Sequence, residues 1–175
     1  MKKELTSRRT EEKPDTEEDT APYEDLYERE EPDEKTLHLV IFRLNREWYG
    51  VEITKVKEVI KTQKITYLPS SPEHIAGIVT RRGNILSVTD LKATFGLPRE
   101  DPTDKARIIA VESGILETGF LVDEVVESME VPTSKVEPSL LTLPGEGGKY
   151  IEGQCKVNNK LIALVNVEKV LGKKV

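Results

Sequence analysis

Reactive side chains are scarce in this chain. Its 175 residues include one cysteine, Cys155, and two histidines, His38 and His74. A single thiol forms neither an internal disulfide nor a thiolate metal cluster, which fits a reducing cytoplasm. The histidines stand far apart, without Cys or Asp neighbours at ligand spacing, so no metal site is expected. Neither has a nucleophile at a recognisable motif distance. Cys155 alternates with Gln154 and Lys156 and reads as a small buried apolar side chain. No run of 18 apolar residues occurs, which excludes a spanning helix by hydropathy. Lys2 and Lys3 lead into polar, acidic sequence rather than the apolar core of a signal peptide.

A second shortage is local. Residues 1–36 contain no Ile, Val, Phe or Trp. They hold 14 acidic and 7 basic side chains, so the whole excess of negative charge, −6 overall, belongs to this segment. Such a stretch buries too little apolar surface to offset a backbone ordering cost of roughly 1–2 kcal/mol per residue. It is expected to be a disordered acidic tail, with Tyr23, Leu26 and Tyr27 as the contacts of any docking arm. The body, residues 37–175, is close to neutral and long enough for a real core.

What the body does contain is strands. LHLVIFRL (37–44), EWYGVEI (47–53), GNILSVTD (83–90), ARIIAVES (106–113), ILETGFLV (115–122), EGQCKVN (152–158) and KLIALVN (160–166) are Val/Ile-rich runs of strand length. Asn45-Arg46, Ser113-Gly114 and Asn158-Asn159 read as hairpin turns between them. Only DLKATFG (90–96) and NVEKVLG (166–172) look helical. Each opens on an Asx able to cap an N-terminus and closes on a glycine suited to C′.

These helices reveal a duplication. IAGIVTRRGNILSVTDLKATFG (75–96) lies over IEGQCKVNNKLIALVNVEKVLG (151–172) without gaps. LVIFRLNREWYGVEITKVKEVI (39–60) lies over IIAVESGILETGFLVDEVVESM (108–129). The second copy carries extra residues between the blocks, assigned to the loop near 137–149. The expected architecture is mainly β, with two curled sheets or small barrels related by a pseudo-twofold and short capping helices. The first repeat runs over about 37–96, a Pro-containing linker over 97–105 and the second repeat over about 106–173. Whether strands are exchanged between the barrels is left open.

Catalysis finds little support. GEGGKY (145–150) lacks the P-loop's leading glycine, with Leu143 in that place, and has Tyr150 where Ser or Thr belongs. No cofactor and no enzymatic activity are expected. A small barrel that binds single-stranded nucleic acid is the alternative, but it needs a basic groove with stacking aromatics. This body is neutral, aromatics are 5% of the chain, and the tail would repel phosphate.

The sharpest local oddity is Arg81-Arg82-Gly83, which lies over Val157-Asn158-Asn159 in the second copy. Charge at this turn is thus not a requirement of folding in both copies. Arg81 alone is expected to be a solvated basic residue, and Arg82 a functional one. Together with EWYGVEITKVKEVI, ITYLPSSPEHIAGIVTRRGNILSVTDL, GFLVDEV and LIALVNVEKVLG, this turn resembles the CheW family of chemotaxis coupling proteins over essentially all of residues 37–173.

The resemblance implies two SH3-like five-stranded barrels. It implies a non-catalytic cytoplasmic adaptor that links the cytoplasmic tip of chemoreceptors to the regulatory domain of a histidine kinase. Val56, Glu58, Arg82 and Gly83 fall on positions that such proteins use for partner contact. Local structure offers other uses: an exposed helix or turn carboxylate for Glu58, core packing for Val56. Asp90 is expected to cap its helix. The chain departs from the pattern at Thr80-Arg81, where Asn-Leu is common, and at Ser87, where proline is usual.

Overall fold

The structure, a computed structural model, describes residues 33–140 and 142–172. The tail expectation lies outside the described residues as far as residue 32, and Thr36 already opens the first strand. In chain order the elements are β1 (Thr36–Leu44), β2 (Glu47–Glu52), β3 (Val56–Lys61), β4 (Ile75–Arg81), β5 (Asn84–Asp90) and α1 (Leu91–Phe95). There follow β6 (Arg107–Ser113), β7 (Leu116–Val122), β8 (Glu124–Pro132), β9 (Val136–Glu137), β10 (Ile151–Val157), β11 (Lys160–Val165) and α2 (Val167–Leu171). They form two sheets, ordered β8-β1-β2-β11-β10-β9 and β3-β6-β7-β5-β4.

Both sheets draw on both halves of the chain. The β1–β2 hairpin joins β10 and β11, and the β6–β7 hairpin joins β4 and β5. The joints are parallel ladders in matching registers: Leu164 faces Gly50 in one sheet and Val88 faces Gly119 in the other. The duplication reaches the irregularities too. A bulge between Val56 and Glu58 against β6 has its counterpart at Val125 and Glu127 against β1. Another between Ile75 and Gly77 recurs between Ile151 and Gly153.

Each sheet curls shut with one bent strand, which leaves few unpaired edges. β8 pairs with β1, passes through a 3-10 turn at Thr133–Lys135, and pairs as β9 with β10 at the far edge. The sixth strand in that order is therefore the continuation of the first. In the other sheet the chain beyond β3 reaches Thr66, which bridges Ile78 on β4. Closure brings the backbone close to Gly77, where a Cβ would stand 2.2 Å from the Thr66 carbonyl oxygen. Gly77 also has φ 144°, so glycine is required there twice over.

The apolar side chains divide accordingly. Leu39, Ile41, Cys155, Ile162 and Leu164 fill the first barrel, and Val79, Leu86, Val88, Ile108 and Ala110 the second. The largest cluster lies between them, joining Val40, Phe42, Tyr49 and Ala163 to Ile109, Val111, Phe120 and both helices. β1 is buried on both faces, which explains why LHLVIFRL is a nearly continuous apolar run.

Both helices carry the expected N-caps. Asp90 Oδ1 accepts from the Ala93 amide at 3.1 Å, and Asn166 Oδ1 from the Lys169 amide at 2.9 Å. Gly96 terminates α1 in the left-handed region at φ 71°. Gly172 does not do this for α2. It keeps right-handed dihedrals, and its amide continues the helical ladder to the Glu168 carbonyl at 2.8 Å.

Candidate functional site

The β4–β5 hairpin ends in a two-residue turn, since Arg81 pairs with Asn84. Arg82 and Gly83 have φ of 50° and 81°. Two successive left-handed residues match the twist of the flanking strands. Asn158 and Asn159 turn the second copy in the same way, at φ 49° and 62°. Asparagine tolerates this region; arginine is strained in it by roughly 1–2 kcal/mol. The first copy thus keeps a less favourable residue where its twin shows a better one. At Gly83 a Cβ would meet nothing within 4 Å among the described residues, so conformation alone requires the glycine.

Arg82 is 81% exposed, and its Nη2 lies 3.0 Å from Glu58 Oε2. Only the Arg82 end of this pair is exposed, Glu58 being 23% exposed, so the guanidinium is accessible to a partner while the carboxylate stays largely covered. Glu58 belongs to β3, not to a helix or turn, because residues 56–61 alternate in burial and pair with β6. β3 and β4 are opposite edges of one sheet, so the Glu58–Arg82 pair spans the closure of the barrel.

Arg81 behaves differently from expectation. Its side chain is only 17% exposed. By strand alternation it follows Gly77 and Val79 towards the inside, at the mouth of the barrel. Its Nη1 stands 2.6 Å from Glu117 Oε1 and its Nε 3.9 Å from Glu58 Oε1. Among the described residues neither Nη1 nor Glu117 Oε1 has hydrogen-bond geometry with any group, so charge holds this contact. Lys57 is the extra residue of the β3 bulge, and reaches Glu112 at 2.9 Å and Glu117 at 3.5 Å. The hydrogen bond and charge of Glu112, with Glu117 beside it, raise the Lys57 ammonium pKa above its ordinary value. Three cations and three carboxylates therefore cap the apolar filling of this barrel.

Of the four residues singled out in sequence, Glu58, Arg82 and Gly83 come together. Val56 does not join them. It pairs with Val111 and packs partly buried against the central cluster. Sequence reasoning missed Lys57, Glu112 and Glu117, as well as an apolar rim. Ile85 is 73% exposed and Leu116 50%, and they lie at the starts of the neighbouring strands β5 and β7. Ile115 at the β6–β7 tip is fully exposed. That turn comprises Gly114 and Ile115, one residue beyond the expected pair, since Ser113 is matched with Leu116. An isoleucine inside a hairpin tip, Ile115, followed by Leu116 was the signal available for this rim.

Other candidates are occupied. His38 Nε2 pairs with Glu130 at 2.5 Å, and His74 and Cys155 are buried. Burial raises the Cys155 thiol pKa, away from thiolate chemistry. Tyr49 is wholly buried, and the Trp48 ring lies 4.1 Å from Lys160 Nζ and 5.7 Å from the Arg43 guanidinium carbon. These two aromatics form no open platform for bases. No helix among the described residues is long and apolar enough to cross a membrane.

Comparison with known proteins agrees with this picture. Residues 38–175 match the family model described as a CheW-like domain. The chemotaxis protein CheW of Bacillus subtilis (strain 168) is 30% identical over 135 residues, covering 77% of this chain and 86% of that protein. The chemotaxis protein CheW of Helicobacter pylori is 27% identical over 158 residues, covering 85% of this chain and 95% of that one. The crystal structure of scaffolding protein TtCheW from Thermoanaerobacter tengcongensis superposes with a TM-score of 0.70. It is 34% identical and covers 76% of this chain and 86% of that chain. With its doubled barrels and a family match over residues 38–175, the chain belongs to the CheW-like domain family.

Proposed function

We propose that this protein is a non-catalytic cytoplasmic scaffold coupling the cytoplasmic tip of chemoreceptors to the regulatory domain of a chemotaxis histidine kinase. Relatives named chemotaxis protein CheW, and a structural neighbour named a scaffolding protein, support the reading. The observation that carries it is Arg82, displayed at 81% exposure on a strained turn whose twin uses asparagine. Arginine's planar fork suits bidentate pairing with a partner's carboxylate, and exposed Ile85 and Leu116 supply apolar area beside it. Glu58 and Gly83 complete the contact, Glu58 by aiming the guanidinium and Gly83 by permitting the turn that presents it. Val56 contributes from the adjacent seam.

Binding of Arg82→Ala to kinase and receptor fragments, measured separately, tests the proposal. Loss of a central hot-spot arginine should weaken one of the two complexes by about 1–3 kcal/mol. The melting temperature should hardly change, because Arg82 itself is exposed and Arg81 still stands 3.9 Å from the Glu58 carboxylate. Unaltered affinity for both partners would refute the assignment.

A further inference from the structure

Arg82 faces a conflict if it is to grip a partner. It already pairs with Glu58 at 3.0 Å, and the Glu58 side chain is only 23% exposed. Turning Arg82 outward would leave that carboxylate half-buried without its nearest cation. Truncating or withdrawing one member of such a pair is costly chiefly because of the charge left behind.

The structure holds a second cation in reserve. Arg81 lies on the inner side of Glu58, its Nε 3.9 Å from Oε1, while Arg82 holds the outer oxygen Oε2. The two guanidiniums therefore engage different oxygens of one carboxylate. Arg81 itself cannot swing out readily, being 17% exposed and held at 2.6 Å by Glu117. Glu117 in turn does not depend on Arg81 alone, since Lys57 stands 3.5 Å from its other oxygen and 2.9 Å from Glu112.

We infer that Arg81 is a positioning residue for docking, a standing counter-ion that keeps Glu58 neutralised when Arg82 is handed over to a carboxylate of the partner. The inference rests on the docking role proposed above for Arg82. It gives the consecutive arginines distinct tasks: Arg82 makes the contact, and Arg81 lowers the cost of releasing it. It also explains why a cation occupies the inward-facing end of β4, where the strand's alternation otherwise places Val79 and Gly77. The occupant of the site is a protein surface presenting an acidic side chain, reached by exchange of one ion pair for another rather than by exposure of a free charge.

The test is a mutant cycle on binding of the full-length protein to the kinase regulatory domain and to a receptor cytoplasmic fragment. Arg81→Leu should weaken the Arg82-dependent complex about tenfold when Glu58 is present. In the Glu58→Gln background, where no charge is left to neutralise, the same change should cost less than about twofold. Arg81→Lys, which keeps the charge, should stay within about twofold of the unsubstituted protein. Melting curves accompany each variant, and Arg81→Gln carries the same cycle should Arg81→Leu fail to fold. Equal losses with and without the Glu58 charge would overturn the inference, because a merely structural arginine behaves that way. So would no loss at all. If instead Arg82→Ala leaves both complexes intact, the docking role itself fails, and that outcome is separately visible.

Discussion

Tyr49 shows how much a single atom costs in this core. Its ring stacks with Phe42 at 5.8 Å and Phe95 at 5.5 Å between centroids. Its buried hydroxyl finds no hydrogen-bond partner among the described residues. Burial, with the nearby charge of Glu47, raises its pKa to about 12. An acid whose pKa rises on folding stabilises the fold below its unfolded pKa, and that contribution disappears as pH climbs to the folded value. Stability should therefore fall between about pH 10 and 12, by roughly 2–3 kcal/mol. Denaturant titrations across that range should show the loss, and Tyr49→Phe should abolish it. The same substitution should raise stability at neutral pH by about 1 kcal/mol, since it removes an unsatisfied buried group. The place of Arg82 in a two-residue hairpin turn was legible in the sequence because the aligned position of the second copy is an asparagine turn. Arg81 was misread because its neighbours Glu58 and Glu117 lie on other strands, and only curling of the sheet brings them together.

Among the elements, the two five-residue helices are short enough to depend on their caps. Both caps are tied in beyond the helix. The Asn166 amide donates to the Tyr150 carbonyl at 2.8 Å, and its Nδ2 to Glu152 Oε2 at 3.1 Å. Asp90 has matching contacts: its second oxygen lies 3.3 Å from Arg99 Nε, and its amide donates to the His74 carbonyl at 2.8 Å. Asp90→Ala and Asn166→Ala should each cost about 1–2 kcal/mol in urea unfolding, while Asp90→Asn should retain much of the cap. The caps were readable because Asx followed by a periodic run and a glycine is a local signal. So were the strands buried on both faces, and the turns at Asn45 and Asn158. β3 and β8 were less visible. Their outward positions carry Lys and Glu, and each starts at a bulge that breaks the period-two pattern. β9, only two residues long, exists because β8 bends to close a barrel, which no local pattern encodes.

At the scale of the molecule, the exchange of hairpins decides how it folds. β1 and β2 find their parallel partner in β11, and β6 and β7 find theirs in β5. Neither half owns a complete sheet. Cutting the exposed stretch 97–105 should therefore yield two fragments, each lacking native circular dichroism alone, that recover it when mixed. A folded isolated half would contradict this account. The repeat itself was visible from turn, glycine and cap order. The partner chosen by each hairpin was not, because both sheets offer the same register to either copy.

That interlocking has a mechanical corollary. Prising the barrels apart would mean unzipping a ladder in each sheet, so the body between its two ends behaves as a stiff strut without a hinge. Backbone amides of β2, β5, β7 and β11 should exchange hydrogen only through global unfolding, at one common free energy. A push delivered at the Arg82 corner then arrives at the far barrel as rotation of the whole body, not as deformation within it.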